Sequence, residues 1–151
     1  MRVELGVGAL EAPVWPDGVS VRGFRAEDGP SLHALLEHGY RRGFGSVPAY
    51  ELWLSATTGD AEFDPELCFL ADAGTELAGA TLCWTSAFVK DLVVRESWRR
   101  RGLGEALLRH VFAAFAERGA ERVDLKVDPE NVAARRLYER VGMHEVEHLT
   151  S

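Results

Sequence analysis

The chain has 151 residues, of which 46% are apolar and 27% charged, enough for one soluble domain with a proper core. No apolar run approaches the roughly 18 residues of a membrane span, and Met1-Arg2-Val3-Glu4 does not open a secretory signal. A net charge of −7 argues against general nucleic-acid binding, and two cysteines without metal-type spacing fit reduced, buried thiols in a cytoplasmic protein.

Residues 1–18 are rich in glycine and proline and end in the turn Pro16-Asp17-Gly18, which marks a lead-in arm with a short strand around Val3 to Val7. Val19 to Phe24 alternates as a strand does. Asp28 and Pro30 then start a helix whose stripe is Leu32, Leu35 and Leu36, with Gly39 expected to end it. A second helical segment carries Tyr50, Leu52, Trp53 and Leu54. Leu67 to Ala71 and Leu77 to Trp84 flank a turn and form a hairpin.

Phe88 to Val94 is the next strand. It runs through Asp91, Leu92, Val93 and Val94 into a basic glycine turn, Arg99-Arg100-Arg101-Gly102-Leu103-Gly104-Glu105. Leu103, Ala106, Leu107, Val111 and Ala114 then recur at helical spacing up to the stop at Gly119. Val123, Leu125 and Val127 alternate as a strand, and Asp128-Pro129 reads as a helix start. Ala134, Leu137 and Val141 form the apolar stripe of this last helix, Gly142 stops it, and Met143 to Leu149 has room for a final strand. The order implies an α+β fold: a mixed, mostly antiparallel central sheet flanked by helices, with parallel pairing near the end.

The glycine turn opens a helix whose unpaired amides carry partial positive charge, and Gly102 and Gly104 leave those amides approachable, as a pyrophosphate requires. It is not a P-loop, because Glu105-Ala106 follows the second glycine. Nor is it the dinucleotide fingerprint, because Leu107 stands where a third glycine is needed. Farther on, Asn131, Arg135 and Tyr138 fall at i, i+4 and i+7 on one helix face. Asn131 as a plain helix cap and Tyr138 as a core aromatic are the bland alternatives.

Arg99-x-x-Gly102-x-Gly104 after an apolar strand resembles the acetyl-CoA loop of the Gcn5-related N-acetyltransferase superfamily. The stretch from Leu125 through Asn131, Leu137-Tyr138 and Gly142-Met143 is similar to the second motif of the same superfamily. The resemblance covers Asp91 to Met143 and implies an acetyltransferase domain over 19–151. It implies acetyl-CoA as co-substrate, no metal, and a primary amine of a small molecule or protein as acceptor. A domain that binds or senses acyl-CoA without catalysis is the alternative.

The resemblance further implies that Leu92, Val93 and Val94 hold the pantetheine arm and that the amides from Arg99 to Glu105 hold the pyrophosphate. Asn131 and Arg135 would line the cofactor cleft, and Tyr138 would be the general acid as well as a cofactor contact. Where polyamine acetyltransferases of the superfamily carry Leu-Glu-Asp, this chain has Val89-Lys90-Asp91. Asp91 is then the candidate base, with Glu96 behind it, and strand alternation predicts that Asp91 faces away from Lys90. His144 and His148 lack a third ligand for a metal. Only nine residues follow Gly142, so the sheet edge there is expected to be covered by the N-terminal arm or by a second subunit in a homodimer.

Overall fold

The computed structural model describes residues 1–6, 10–41 and 43–146. Six strands form one sheet in the order β1-β6-β5-β4-β3-β2. They are β1 (Arg2–Glu4), β2 (Ser20–Gly23), β3 (Phe63–Asp72), β4 (Leu77–Trp84), β5 (Phe88–Val94) and β6 (Arg122–Leu125). The helices are α1 (Gly29–Tyr40), α2 (Tyr50–Thr58), α3 (Leu103–Glu117) and α4 (Val132–Arg140). Every neighbouring pair of strands is antiparallel except β5 and β6, which are joined through α3 and run parallel.

The sheet is packed on both faces. On one side Leu108, Val111, Phe112 and Phe115 of α3 bury against Leu67, Phe69, Val89, Val123 and Leu125. On the other, Leu32, Leu35 and Leu36 of α1 and Trp53 of α2 bury against Cys68, Leu70, Leu82 and Val93. The chain's helical and strand periodicities serve these two layers, since each strand alternates its side chains between them.

Several boundaries differ from the sequence expectation for local physical reasons. Gly39 does not end α1, which continues to Tyr40; a Cβ at Gly39 would stand 2.7 Å from Val93 Cγ2, so the glycine lets helix and strand touch. Asp28 precedes α1 without capping it by its side chain. Its two oxygens instead accept from Arg22 Nη1 and Nη2 at 2.7 and 2.8 Å, and Arg22 Nε also reaches Asp72 at 3.0 Å. Asp128-Pro129 forms a turn rather than a helix start. The Asn131 amide donates to the Asp128 carbonyl, and Asn131 is the residue that caps α4, its Oδ1 accepting from the Ala134 amide at 3.2 Å.

The arm reaches the sheet edge. Arg2, Val3 and Glu4 pair with Asp124, Val123 and Arg122, so β1 lies along the side of β6 that β5 leaves free. Arg2 also pairs with His144 by a two-way backbone bond, and its guanidinium meets Asp124 at 2.7 Å. Val7 and residues 147–149, part of the expected first and last strands, lie outside the described residues, as does His148.

Candidate functional site

The site begins with one extra residue. On β5, Asp91 pairs with Leu82 of β4 and Val89 pairs with Cys83, so Lys90 has no partner and forms a β-bulge. A bulge reverses the alternation beyond it. Val89 packs with the α3 layer, while Lys90 and Asp91 both turn to the α1 side, Lys90 Nζ donating to Asp91 Oδ2 at 3.1 Å. The expectation that Asp91 faces away from Lys90 is therefore wrong, because uninterrupted alternation does not hold across the bulge.

The same bulge opens a cleft. β5 and β6 pair only at Phe88–Asp124 and Val89–Leu125; past these residues the two strands part. The Arg95 amide donates to the Ala78 carbonyl, which fixes the phase of the β4–β5 ladder. By that phase Val93 bonds toward β4, whereas the backbone groups of Leu92 and Val94 point toward the gap. One of those groups, the Val94 carbonyl, accepts from Arg99 Nε at 3.3 Å.

A cavity of about 440 Å³ fills the gap. β5 supplies Lys90, Asp91, Leu92, Val93 and Val94 to its wall, and the following loop supplies Arg99. Lys126, Val127, Asp128, Asn131 and Tyr138 form the opposite side, and Leu36, Gly39, Tyr40 and Phe44 close the end under α1. Tyr40 and Phe44 were not singled out as site residues by the sequence. Their signal was only an aromatic-rich stretch between helices, which core packing explains equally well.

Asp91 is buried, and its second oxygen, Oδ1, accepts from the Tyr40 hydroxyl. Both carboxylate oxygens are thus held by donors. Burial, reinforced by the Asp91 charge, pushes the Tyr40 phenol well above its usual range. Burial alone raises the Tyr138 phenol as well, and this hydroxyl has no protein hydrogen-bond partner among the described residues. Tyr138 therefore presents a proton donor to the cavity that stays protonated at neutral pH.

The glycine turn begins at Arg99, the residue of this loop that lines the cavity. Gly102 precedes α3 in the left-handed region at φ 79°, and the space its Cβ would occupy has no atom within 4 Å. Amides from Arg100 through Glu105 find no acceptor among the described residues, the first closed bond of the helix being Ala106 to Gly102. Gly104 serves packing instead. A Cβ there would stand 3.1 Å from Leu137 Cδ2, so the glycine lets α4 lie against α3. Arg101 stacks over Trp98 at 4.7 Å, and Arg100 takes a left-handed φ of 63°.

Of the sequence candidates, Asp91, Leu92, Val93, Val94, Arg99, Asn131 and Tyr138 meet in one cavity. Arg100 to Glu105 are not among the residues that line it; of the glycine turn only Arg99 does. Arg135 is turned away: Nη2 meets Glu145 at 2.5 Å and Nη1 the Pro129 carbonyl at 3.3 Å. Glu96 is exposed and faces His38 at 3.7 Å, outside the cavity.

Residues 30–143 match the acetyltransferase (GNAT) family. The chain is 33% identical to a GCN5-related N-acetyltransferase from Sphaerobacter thermophilus, whose crystal structure superposes with a TM-score of 0.79, covering 95% of this chain and 46% of that one. It is 35% identical over 150 residues to the mycothiol acetyltransferase of Clavibacter sepedonicus, covering 93% of this chain and 46% of the relative. Over 86 residues it is 33% identical to N-alpha-acetyltransferase 30 of Xenopus laevis, covering 52% of this chain and 32% of the relative. The chain thus spans under half the length of each.

Proposed function

The chain belongs to the acetyltransferase (GNAT) family, and from that premise we propose that it transfers the acetyl group of acetyl-CoA to a primary amine of a small molecule or protein. The observation that carries this reading is the parting of β5 and β6. It leaves the backbone groups of Leu92 and Val94 unpaired by β6 in the wall of a cavity that Tyr138 also lines, and the free amides that open α3 follow Arg99 of the same wall. That is a slot for a long, thin, phosphorylated thioester.

The residues present fit such a group. Amides from Arg100 to Glu105, with the open space at Gly102, would take the pyrophosphate. Leu92 and Val94 would bond the amide-containing arm as a strand would, with Val93 packing behind them against α1. Arg99, fixed to the Val94 carbonyl, adds charge at the phosphate end. Asn131 holds the start of α4 in place and so fixes Tyr138 two turns later. Arg135, paired with Glu145, braces the same helix.

In the reaction a neutral amine attacks the thioester carbonyl, forming the C–N bond and breaking the C–S bond. Amide donors of β5 support the charge that develops on the carbonyl oxygen. The phenol of Tyr138 donates its proton to the departing thiolate, and the nitrogen loses a proton to water. The phenol is in its donor form at neutral pH, as the role requires, and has no protein partner to compete for its proton among the described residues. Asp91 is already engaged, its two oxygens accepting from Tyr40 and Lys90.

Tyr138→Phe is expected to lower kcat by about 100-fold, the usual scale of general-acid catalysis, while acetyl-CoA still binds. Thiol release with an amine panel measures the first and calorimetry the second. Unchanged turnover would remove Tyr138 from the mechanism. Binding of acetyl-CoA with no thiol release for any amine would favour an acyl-CoA-sensing domain instead.

A further inference from the structure

The cavity holds the parts proposed for acetyl transfer but, among the described residues, no histidine or unengaged carboxylate to deprotonate an ammonium. Its titratable and charged groups are Tyr40 from α1, Lys90 and Asp91 from β5, Arg99 from the loop, Lys126 and Asp128 from the end of β6, and Tyr138 from α4. None of them is a histidine. The nearest by sequence, His38, is turned to Glu96. Asp91 accepts from Tyr40 and Lys90, one donor on each oxygen, and Asp128 Oδ1 accepts from the Glu130 amide at 2.9 Å. A general base must take the proton itself, and among the described residues that line the cavity there is no histidine and each carboxylate already accepts from a donor.

The cations are placed as though to do the opposite of holding an ammonium. The whole chain has only two lysines, against fifteen arginines, and both line this cavity. Lys126 has no carboxylate within salt-bridge distance among the described residues. With Arg99, three cations face two carboxylates, in a chain whose net charge is −7. Positive neighbours favour the neutral form of an amine that enters.

We infer that the acceptor is an amine of low intrinsic basicity, an α-amine next to an amide or carbonyl carbon, and that the site selects its neutral form instead of deprotonating a lysine-type amine. The inference rests on the acetyl-transfer reading above and narrows its acceptor. The magnitudes decide the class. At pH 7 an α-amine is neutral in about one molecule in ten, a lysine-type amine in about one in 2,500. An enzyme without a base forfeits that difference of about 250-fold.

The test compares an alanyl peptide amide with an Nα-acetyl-lysine amide of the same length, using the intact chain and following thiol release from pH 6 to 10. The α-amine substrate is expected to show a kcat/KM about 100-fold higher at pH 7. The rising limb should break at the acceptor's own pKa and move with it when a glycyl, alanyl or fluorinated α-amine is substituted. A break at one pH whatever the acceptor, or preference for the lysine amine, overturns the inference while leaving acetyl transfer intact. No thiol release with the α-amine at any pH also overturns the inference, and the wider amine panel then decides whether acetyl transfer itself stands.

Discussion

Asp91 illustrates how much a single side chain's partners decide. A buried carboxylate with two donors is a structural post, and its value lies in fixing Tyr40 and Lys90 at the end of the cavity. Tyr40→Phe would strip one donor from a buried oxygen, which costs about 1–3 kcal/mol. Urea unfolding should register that loss, and a double-mutant cycle with Asp91→Asn should return a coupling of about 1 kcal/mol or more. Independent behaviour of the two substitutions would mean that the bond contributes nothing. Gly39 acts at the same scale from the other side of the contact. Gly39→Ala would gain about 1 kcal/mol of helix propensity, yet place a methyl 2.7 Å from Val93. Overpacking of this kind costs about 1–3 kcal/mol, so a net loss is expected in the same unfolding assay, with a raised KM for the acceptor.

At the scale of elements, the cleft exists because β5 carries one residue more than β4 can pair and because β6 follows it only briefly. The edge beyond β6 is closed by the three residues of β1. Val3→Asp would bury a carboxylate against Val123 and the α3 layer, and a loss of about 3 kcal/mol is expected by denaturant unfolding. Chromatography should then show self-association through the exposed β6 edge. A monomeric variant of unchanged stability would mean that β1 does not guard the edge. Much of this architecture was legible in local patterns. The bounds of β5 and α3, the turn at Gly102 and the stripe that sets Tyr138 on α4 all follow from residues within one turn or one strand of each other. The bulge at Lys90 was not, because it is a relation between β5 and β4 and leaves no mark in β5 alone. The pairing of β1 with β6 joins residues some 120 apart, and the helix through Gly39 was hidden because a glycine kept for contact reads as a glycine kept for a stop.

The whole molecule titrates as its buried groups require. Burial raises the thiols of Cys68 and Cys83, the latter to about 12, and the phenols of Tyr40 and Tyr138. All four prefer the protonated form in the folded state. Their contribution is therefore fully present below the unfolded values, near 9 for the thiols and 10 for the phenols, and is lost as pH rises beyond them. Between pH 8 and 10 the two thiols together should remove about 3 kcal/mol of stability. Cys83→Ala is expected to halve that slope, measured as the urea midpoint against pH. A midpoint independent of pH up to 10 would contradict the burial of the thiols. On the acid side, pairing with Arg22 lowers Asp28, and the Gly74 amide followed by Arg22 lowers Asp72. That stabilisation is present above about pH 4 and fades as pH falls through the depressed values.

The two lysines have one more consequence, for chemical labelling. Within residues 1–151 the only side-chain amines that an amine-selective acylating reagent can meet are those of Lys90 and Lys126. Its modification sites would thus lie almost wholly in the cavity wall. The extent of labelling, read by intact mass, becomes a footprint of whatever occupies that wall, with no engineered probe needed.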